Sequence, residues 1–278
     1  MPDSEAVITP HLLRRWPLPD PAGDKESRGT VLVVGGSRFN PGAVLLAGTA
    51  ALRAGAGRLQ LAVAEESAVA VSVAVPEARV VGFPASGAPD EVLELAAEAD
   101  VVALGPGLDD IEQTTDLMRG VLEAAGPQTA VVLDAYALGA LSKDPKLLRQ
   151  RRAVLTPNVT EAAHLLGSEP GDDLATAARE VASRYQAVVS LYGHIAAPDG
   201  SGWREESGDA GLGTSGSGDA RAGVVAGLLG RGAEPAQAAC WAAYAHAVSG
   251  QRLSPRYGRT GFLARELVDE VANTIATV

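Results

Sequence analysis

Short valine-rich runs, each closed by a loop bearing glycine, proline or aspartate and most of them followed by a stretch of helical length, recur along most of this 278-residue chain. Thr30 to Gly35 (TVLVVG) is the first, and the apolar stretch Gly42 to Ala56 follows it. Further runs lie at Arg58 to Ala64, Ala78 to Gly82, Asp100 to Leu104, Ala130 to Asp134, Arg152 to Thr156 and Ala187 to Leu191, separated by helical patterns such as Thr114 to Ala125 and Asp172 to Tyr185. The runs are continuously apolar rather than alternating, which is the pattern of strands buried on both faces. They predict a three-layer α/β fold with a mostly parallel central sheet. Ile195 to Ala197, Asp199-Gly200 and Trp203 read as a small hairpin. From Ser217 onward the pattern is helical, over Asp219 to Leu229, Pro235 to Ser249 and Leu263 to Ile275. No linker divides the chain, so residues 1–278 read as a single domain with 1–28 as an N-terminal extension.

Composition narrows the partners. The formal net charge is −11, which argues against nucleic acid or an anionic membrane as the main partner. Aromatic residues make up 4%, so Ala, Gly and Val carry the interior and favour close packing of helices on the sheet. The only cysteine, Cys240, can form no intramolecular disulfide and reads as a core residue. Met1 to Asp20 lacks a signal-peptide apolar region and no long uncharged apolar run appears, so the expectation is a cytoplasmic protein.

In open α/β sheets the ligand crevice lies beyond the carboxyl ends of the strands. The loops there are Gly35-Gly36-Ser37, Gly105-Pro106-Gly107-Leu108-Asp109, Asp134-Ala135-Tyr136-Ala137-Leu138 and Thr156-Pro157-Asn158-Val159-Thr160-Glu161. The glycine-rich stretch Gly208 to Gly223 contains Gly216-Ser217-Gly218-Asp219 and runs into an apolar helix. Glycines let backbone N–H groups converge on an anion, and a helix start adds free N–H groups and the positive end of the dipole. A carboxylate repels phosphate, so Asp219 there reads as a base for a hydroxyl that meets the phosphate, or more simply as a helix cap. Asn158 and Glu161 are equally open to two readings. They can cap a helix without any ligand, or hold Mg²⁺ through its waters.

The set GGS…GA, GPGL, LDA, TPN..E and G..GL.T.GSGD..AG resembles the ribokinase-like superfamily, and within it the ADP- or ATP-dependent NAD(P)H-hydrate dehydratase family, over roughly Gly29 to Val271. The resemblance implies a ribokinase-like fold and a homo-oligomer. It implies a lyase that phosphorylates the added hydroxyl of hydrated NADH or NADPH with ADP or ATP, in the presence of Mg²⁺, and then expels phosphate. By resemblance Asp219 is the catalytic base and contacts substrate, and Ala43, Gly107 and Asn158 line the hydrated nicotinamide nucleotide. Tyr192, Gly193, His194, Gly216, Ser217 and Gly218 take the nucleotide and its phosphates, and Asn158 and Glu161 hold Mg²⁺ through water. A diverged non-catalytic nucleotide binder, or a ribokinase-like small-molecule kinase, is the alternative.

The departures from the family pattern fall in the loops. Tyr136 replaces the second Asp of Asp-Ala-Asp-Ala-Leu, and Asn158-Val159 replaces His-Pro after Thr-Pro. Tyr192 stands where the family has lysine, and the turn before Pro198 is about three residues shorter, which predicts weaker or redirected nucleotide binding. Asn40 replaces an aromatic residue before Gly42, and Arg221 an apolar residue after Asp219. Arg221 reads as a new charge for phosphate or, more simply, as a solvated helix residue, Arg149 to Arg152 as a solvated positive turn, and His246 as a packed or partner-bonded histidine. Trp16, Trp203 and Trp241 are too far apart in sequence to predict a stacking platform.

Overall fold

The computed structural model describes residues 5–20, 27–85, 87–148 and 150–278. Its elements in chain order are β1 (Ala6–Val7), α1 (Pro10–Arg15), β2 (Thr30–Val34), α2 (Gly42–Arg53), β3 (Arg58–Ala64), α3 (Ala68–Ala74), β4 (Ala78–Phe83), α4 (Asp90–Glu98), β5 (Val101–Leu104) and α5 (Ile111–Ala124). There follow β6 (Ala130–Leu133), α6 (Tyr136–Lys143), β7 (Ala153–Leu155), α7 (Val159–Leu166), α8 (Leu174–Tyr185), β8 (Val188–Leu191), β9 (His194–Ala196), β10 (Gly202–Arg204), α9 (Ser217–Gly230), α10 (Pro235–Tyr257) and α11 (Ala264–Ala276).

The strands form one sheet in the order β1-β10-β9-β8-β7-β6-β5-β2-β3-β4. From β4 across to β8 every neighbouring pair is parallel, so seven carboxyl ends point to the same edge. The chain moves from β2 outward to β3 and β4, then returns to place β5 on the other side of β2. That reversal is the topological switch point of an open α/β sheet, where a crevice opens between diverging loops.

Each strand feeds both faces because successive side chains alternate. Val31 and Val33 of β2 join the core that packs under α2, α9, α10 and α11, whereas Leu32 and Val34 join the core under α4 to α8. The three-layer, mostly parallel architecture expected from the continuous apolar runs is therefore present. On the first face α2 and α9 approach backbone to backbone. A Cβ added at Gly223 would lie 2.1 Å from the Ala47 carbonyl oxygen, and one at Gly227 would lie 2.3 Å from that of Ala51. The glycine spacing after Asp219 thus serves close packing, while the start of the same helix faces the crevice.

Several features differ from the sequence expectation. Helix α10 continues past Ser249 to Tyr257, because Pro255 falls in its last turn rather than its middle. The segment before residue 20 contributes an edge strand: β1 pairs with β10, and Ile8 and Leu13 enter the core. The tryptophans meet in space, with Trp16 and Trp203 rings 5.6 Å apart and the Trp241 indole N–H donating to the Trp16 carbonyl at 2.9 Å. Trp16 and Trp203 flank a cavity of about 640 Å³ at the β1 and β10 edge. Arg149 lies outside the described residues, and its neighbours are not simply solvated. Arg151 donates to the Gly126 and Ala125 carbonyls beyond the end of α5, and Arg152 to the Ala233 carbonyl.

Candidate active site

The loops after β2 and β5 meet at the switch point through backbone bonds. Gly36 N–H donates to the Pro106 carbonyl at 2.7 Å and Ser37 N–H to that of Gly107 at 2.8 Å. Gly107 has φ of +72°, and a Cβ there would press on Asn40 O at 2.5 Å and Ala43 Cβ at 2.8 Å. Ala43 is 2% exposed, in the first turn of α2. The two therefore pack against each other where the loops after β2 and β5 meet, and neither lines the two cavities that meet at Asn158.

At the end of β6 the Asp134 carboxylate is buried and accepts the Thr156 hydroxyl at 2.7 Å. Burial pushes its pKa up, opposed by that hydrogen bond and by the positive charge of Arg221. Ala135 next to it has φ of +50°, an unusual value for a residue with a Cβ, and it directs Tyr136 into the crevice. Tyr136 is 43% exposed.

After β7, Asn158 and Glu161 form a reciprocal capping box. Each backbone N–H donates to the other's side chain at 2.9 Å. Burial raises the Glu161 pKa first, and the nearby Asp134 raises it further. The capping role is thus realised, and it leaves the second carboxylate oxygen of Glu161 outside the box.

Gly216 caps α9 with φ of +85°, where a Cβ would meet Leu46 at 2.5 Å. Its left-handed turn leads into the first N–H groups of the helix, at Ser217, Gly218 and Asp219, of which Ser217 and Gly218 line the larger cavity. Ser217 N–H is taken by the Thr214 carbonyl at 3.2 Å, whereas the next two lie in a first turn with no intrahelical acceptors. Ser217 itself is held by the buried His246, as a partner-bonded histidine. Asp219 is mostly buried, and desolvation, then Asp134, then Glu161 push its pKa up to about 7. A carboxylate poised near neutrality is matched to proton abstraction.

The shortened loop after β8 is a two-residue hairpin. Leu191 pairs with His194, and Tyr192 and Gly193 between them have φ of +47° and +87°. Tyr192 stands 65% exposed on the cavity wall. His194 does not line that cavity; its Nδ1 lies 2.9 Å from the Glu5 carboxylate. Arg221 departs most from its sequence reading. It is part-buried: its Nη2 donates to the Thr156 carbonyl at 3.0 Å, and its Nε is buried without a hydrogen-bond partner among the described residues.

Two cavities meet at Asn158. One of about 460 Å³ runs past Ile111, Tyr136, Lys143 and His164. The other, of about 720 Å³, runs past Tyr192, Gly193, Ser217, Gly218 and Arg221 toward Gly208. A two-compartment crevice with a near-neutral carboxylate and an N–H cradle close to its junction can bring a hydroxyl and a phosphate together.

Comparison with known proteins agrees. The NAD(P)H-hydrate dehydratase family model matches residues 31–273. The chain belongs to the NAD(P)H-hydrate dehydratase family. It is 43% identical over 277 residues to the ADP-dependent (S)-NAD(P)H-hydrate dehydratase of Xanthomonas campestris pv. campestris, covering 95% of this chain and 94% of that protein. The bifunctional NAD(P)H-hydrate repair enzyme of Moorella thermoacetica is 37% identical, and the match spans about half of its length, 54%. Among solved structures, the ADP/ATP-dependent NAD(P)H-hydrate dehydratase from Bacillus subtilis, co-crystallized with ATP/Mg²⁺, superposes with a TM-score of 0.85 at 30% identity, covering 99% of each chain.

What sequence reasoning does not supply is the partners. Asp134, singled out with its loop, meets the Thr156 hydroxyl, Arg221 is anchored on the Thr156 carbonyl, and His246, expected to be packed or partner-bonded, has Ser217, 29 positions away, as its partner.

Proposed function

We propose that this chain dehydrates hydrated NADH or NADPH with ADP or ATP as co-substrate. The observation that carries the reading is Asp219, a carboxylate with a pKa near 7 in the same helical turn as the N–H cradle. The Asp219 carboxylate accepts the proton of the substrate hydroxyl as its oxygen attacks the terminal phosphoryl group, and the bond to the rest of the nucleotide breaks. The N–H groups of Gly218 and Asp219 hold the charge that develops on the transferred phosphoryl oxygens. Phosphate then leaves the ring carbon while the neighbouring carbon loses a proton, which restores the double bond. The larger cavity takes the nucleotide, and the one past Tyr136 takes the hydrated nicotinamide, with Gly107 and Ala43 where the loops after β2 and β5 meet.

Mg²⁺ fits the donor set. Asp134 and Glu161 each raise the pKa of Asp219, a repulsion that a cation relieves. No three His, Cys, Asp or Glu side chains among the described residues group together as metal ligands, and Asn158 with Glu161 would hold the ion through its waters. When bound, the ion supplies charge neutralisation for the phosphates. A cytoplasmic location and a homo-oligomer remain part of this proposal by resemblance to the family, and no helix among the described residues is long and apolar enough to cross a membrane.

The test is direct. Purified protein with hydrated NADH, Mg²⁺ and ADP or ATP is expected to restore reduced-nicotinamide absorbance and release one phosphate per turnover. Absence of recovery with both nucleotides would overturn the reading in favour of a non-catalytic nucleotide binder.

A further inference from the structure

The wall of the larger cavity includes the carboxylates Glu205, Glu206 and Asp209, and Arg221 is the only lysine or arginine among the described residues lining it. Glu206 is paired with Arg204 and Asp209 with Arg259, from outside that lining. His246 adds no charge, because burial and the neighbouring Arg221 hold it neutral. A nucleotide carrying several negative charges therefore meets Glu205 and Arg221 as the wall's charges without an ion-pair partner among the described residues. The N–H groups at the start of α9 supply only partial charge in return.

Arg221 is unusual among the part-buried charges. It lies close enough to Asp134 and Glu161 to feel both carboxylates, yet among the described residues it forms no ion pair with either. Among the described residues its hydrogen bond goes to a neutral acceptor, the Thr156 carbonyl, and its Nε is buried without a partner. A guanidinium placed only to neutralise carboxylates would pair with them in its forked geometry. This one instead holds donor capacity in reserve at the cavity wall, two residues along α9 from Asp219 and three from Gly218.

We propose that Arg221 binds the phosphate groups of the nucleotide co-substrate, as the fixed cation of the compartment that Tyr192 and Gly218 line. This rests on the dehydratase reading for the identity of the ligand. The anchor at Thr156 O holds the side chain on the wall that Gly218 also lines, so guanidinium and backbone N–H groups serve one compartment. The guanidinium and the Tyr192 phenol are near neighbours, so a cation restored at position 192 can take over part of the task.

Calorimetry of ADP binding to the full-length protein, with Mg²⁺ present, tests this without turnover. Arg221→Gln keeps a donor for the Thr156 carbonyl and removes the charge; it is expected to weaken ADP binding roughly ten- to a hundred-fold. Arg221→Lys is expected to retain most of the affinity, and Tyr192→Lys in the Arg221→Gln background to recover about tenfold. In steady state the KM for ADP rises while that for hydrated NADH stays within about twofold. An R221Q protein that binds ADP within about twofold of the parent, or an equal loss for both substrates, overturns the proposal, as does failure of the parent to bind ADP at millimolar concentration. A parent that binds ADP in this order of variants but never converts hydrated NADH would instead uphold Arg221 and sink the dehydratase reading.

Discussion

His246 on α10 reaches across to Ser217 at the start of α9, with Nε2 2.7 Å from the hydroxyl and 3.1 Å from the carbonyl. The residue that begins the N–H cradle is thereby fixed by a helix that starts 18 positions after it in sequence. Burial, then the charge of Arg221, press the imidazole pKa from 6.5 down to about 3. The folded value lies below the unfolded one, so the unfolded chain alone gains this proton as pH falls. The stability held above pH 6.5 is lost progressively toward pH 3. His246→Gln is expected to flatten the fall in melting temperature between pH 7 and pH 4. It also lowers the melting temperature at pH 7, since the buried Ser217 loses a partner worth about 1–3 kcal/mol.

The same logic has the opposite sign at Asp219. Its folded pKa, about 7, lies above the unfolded 3.8, so the protonated form is favoured in the fold and that contribution is lost as pH rises through 7. Asp219→Asn should therefore match the parent in stability near pH 4 and exceed it at pH 8, measured by thermal unfolding. Turnover should fall by a factor on the order of 10² to 10⁴, and kcat/KM of the parent should rise through pH 7. Retained turnover in the Asn variant would reduce Asp219 to a structural residue.

Two glycines of α9 separate packing from binding. A Cβ at Gly223 would sit 2.1 Å from the Ala47 carbonyl, so Gly223→Ala forces α2 and α9 apart and is expected to cost roughly 1–3 kcal/mol or more. At Gly218 no atom lies within 4 Å of an added Cβ. Gly218→Ala should melt within a degree or two of the parent yet bind ADP more weakly, because the methyl group stands in the path of the phosphate. Equal melting temperatures for both variants would contradict the close approach of the two helices.

The strands were legible because a parallel strand buried on both faces needs a continuous apolar run, and Thr30–Val34 or Ala130–Leu133 satisfies that need without help from elsewhere. The crevice was legible for a related reason. Loops that leave such strands must break the pattern, and Gly107, Asn158 and Gly216 do so with residues that have few other uses. What stayed hidden depends on partners distant in sequence. The two residues of β1 form a strand only because β10 lies beside them. Arg221 turns inward only because the end of β7 offers the Thr156 carbonyl, and Trp16 meets Trp203 only after the sheet has formed. Two residues between Leu191 and His194 fit a hairpin, and the same two, Tyr192 and Gly193, line the larger cavity, so tight turn and expected loop are one feature.

Glu161 joins the capping box to the chemistry. Its carboxylate accepts the Asn158 N–H, and it also raises the pKa of Asp219, after desolvation and Asp134 in size. Glu161→Gln preserves an oxygen for the cap while removing the charge, so α7 should keep its start and the melting temperature should change little. Asp219 then loses one of its two repelling neighbours, and the acid limb of the kcat/KM profile is expected to move to lower pH by up to about one unit. If Glu161 also holds hydrated Mg²⁺, the concentration of the ion giving half-maximal rate rises severalfold in the same variant. The two readouts are independent, because the first needs only proximity and the second needs coordination through water. An unmoved acid limb together with unchanged Mg²⁺ dependence would leave Glu161 as a helix cap alone.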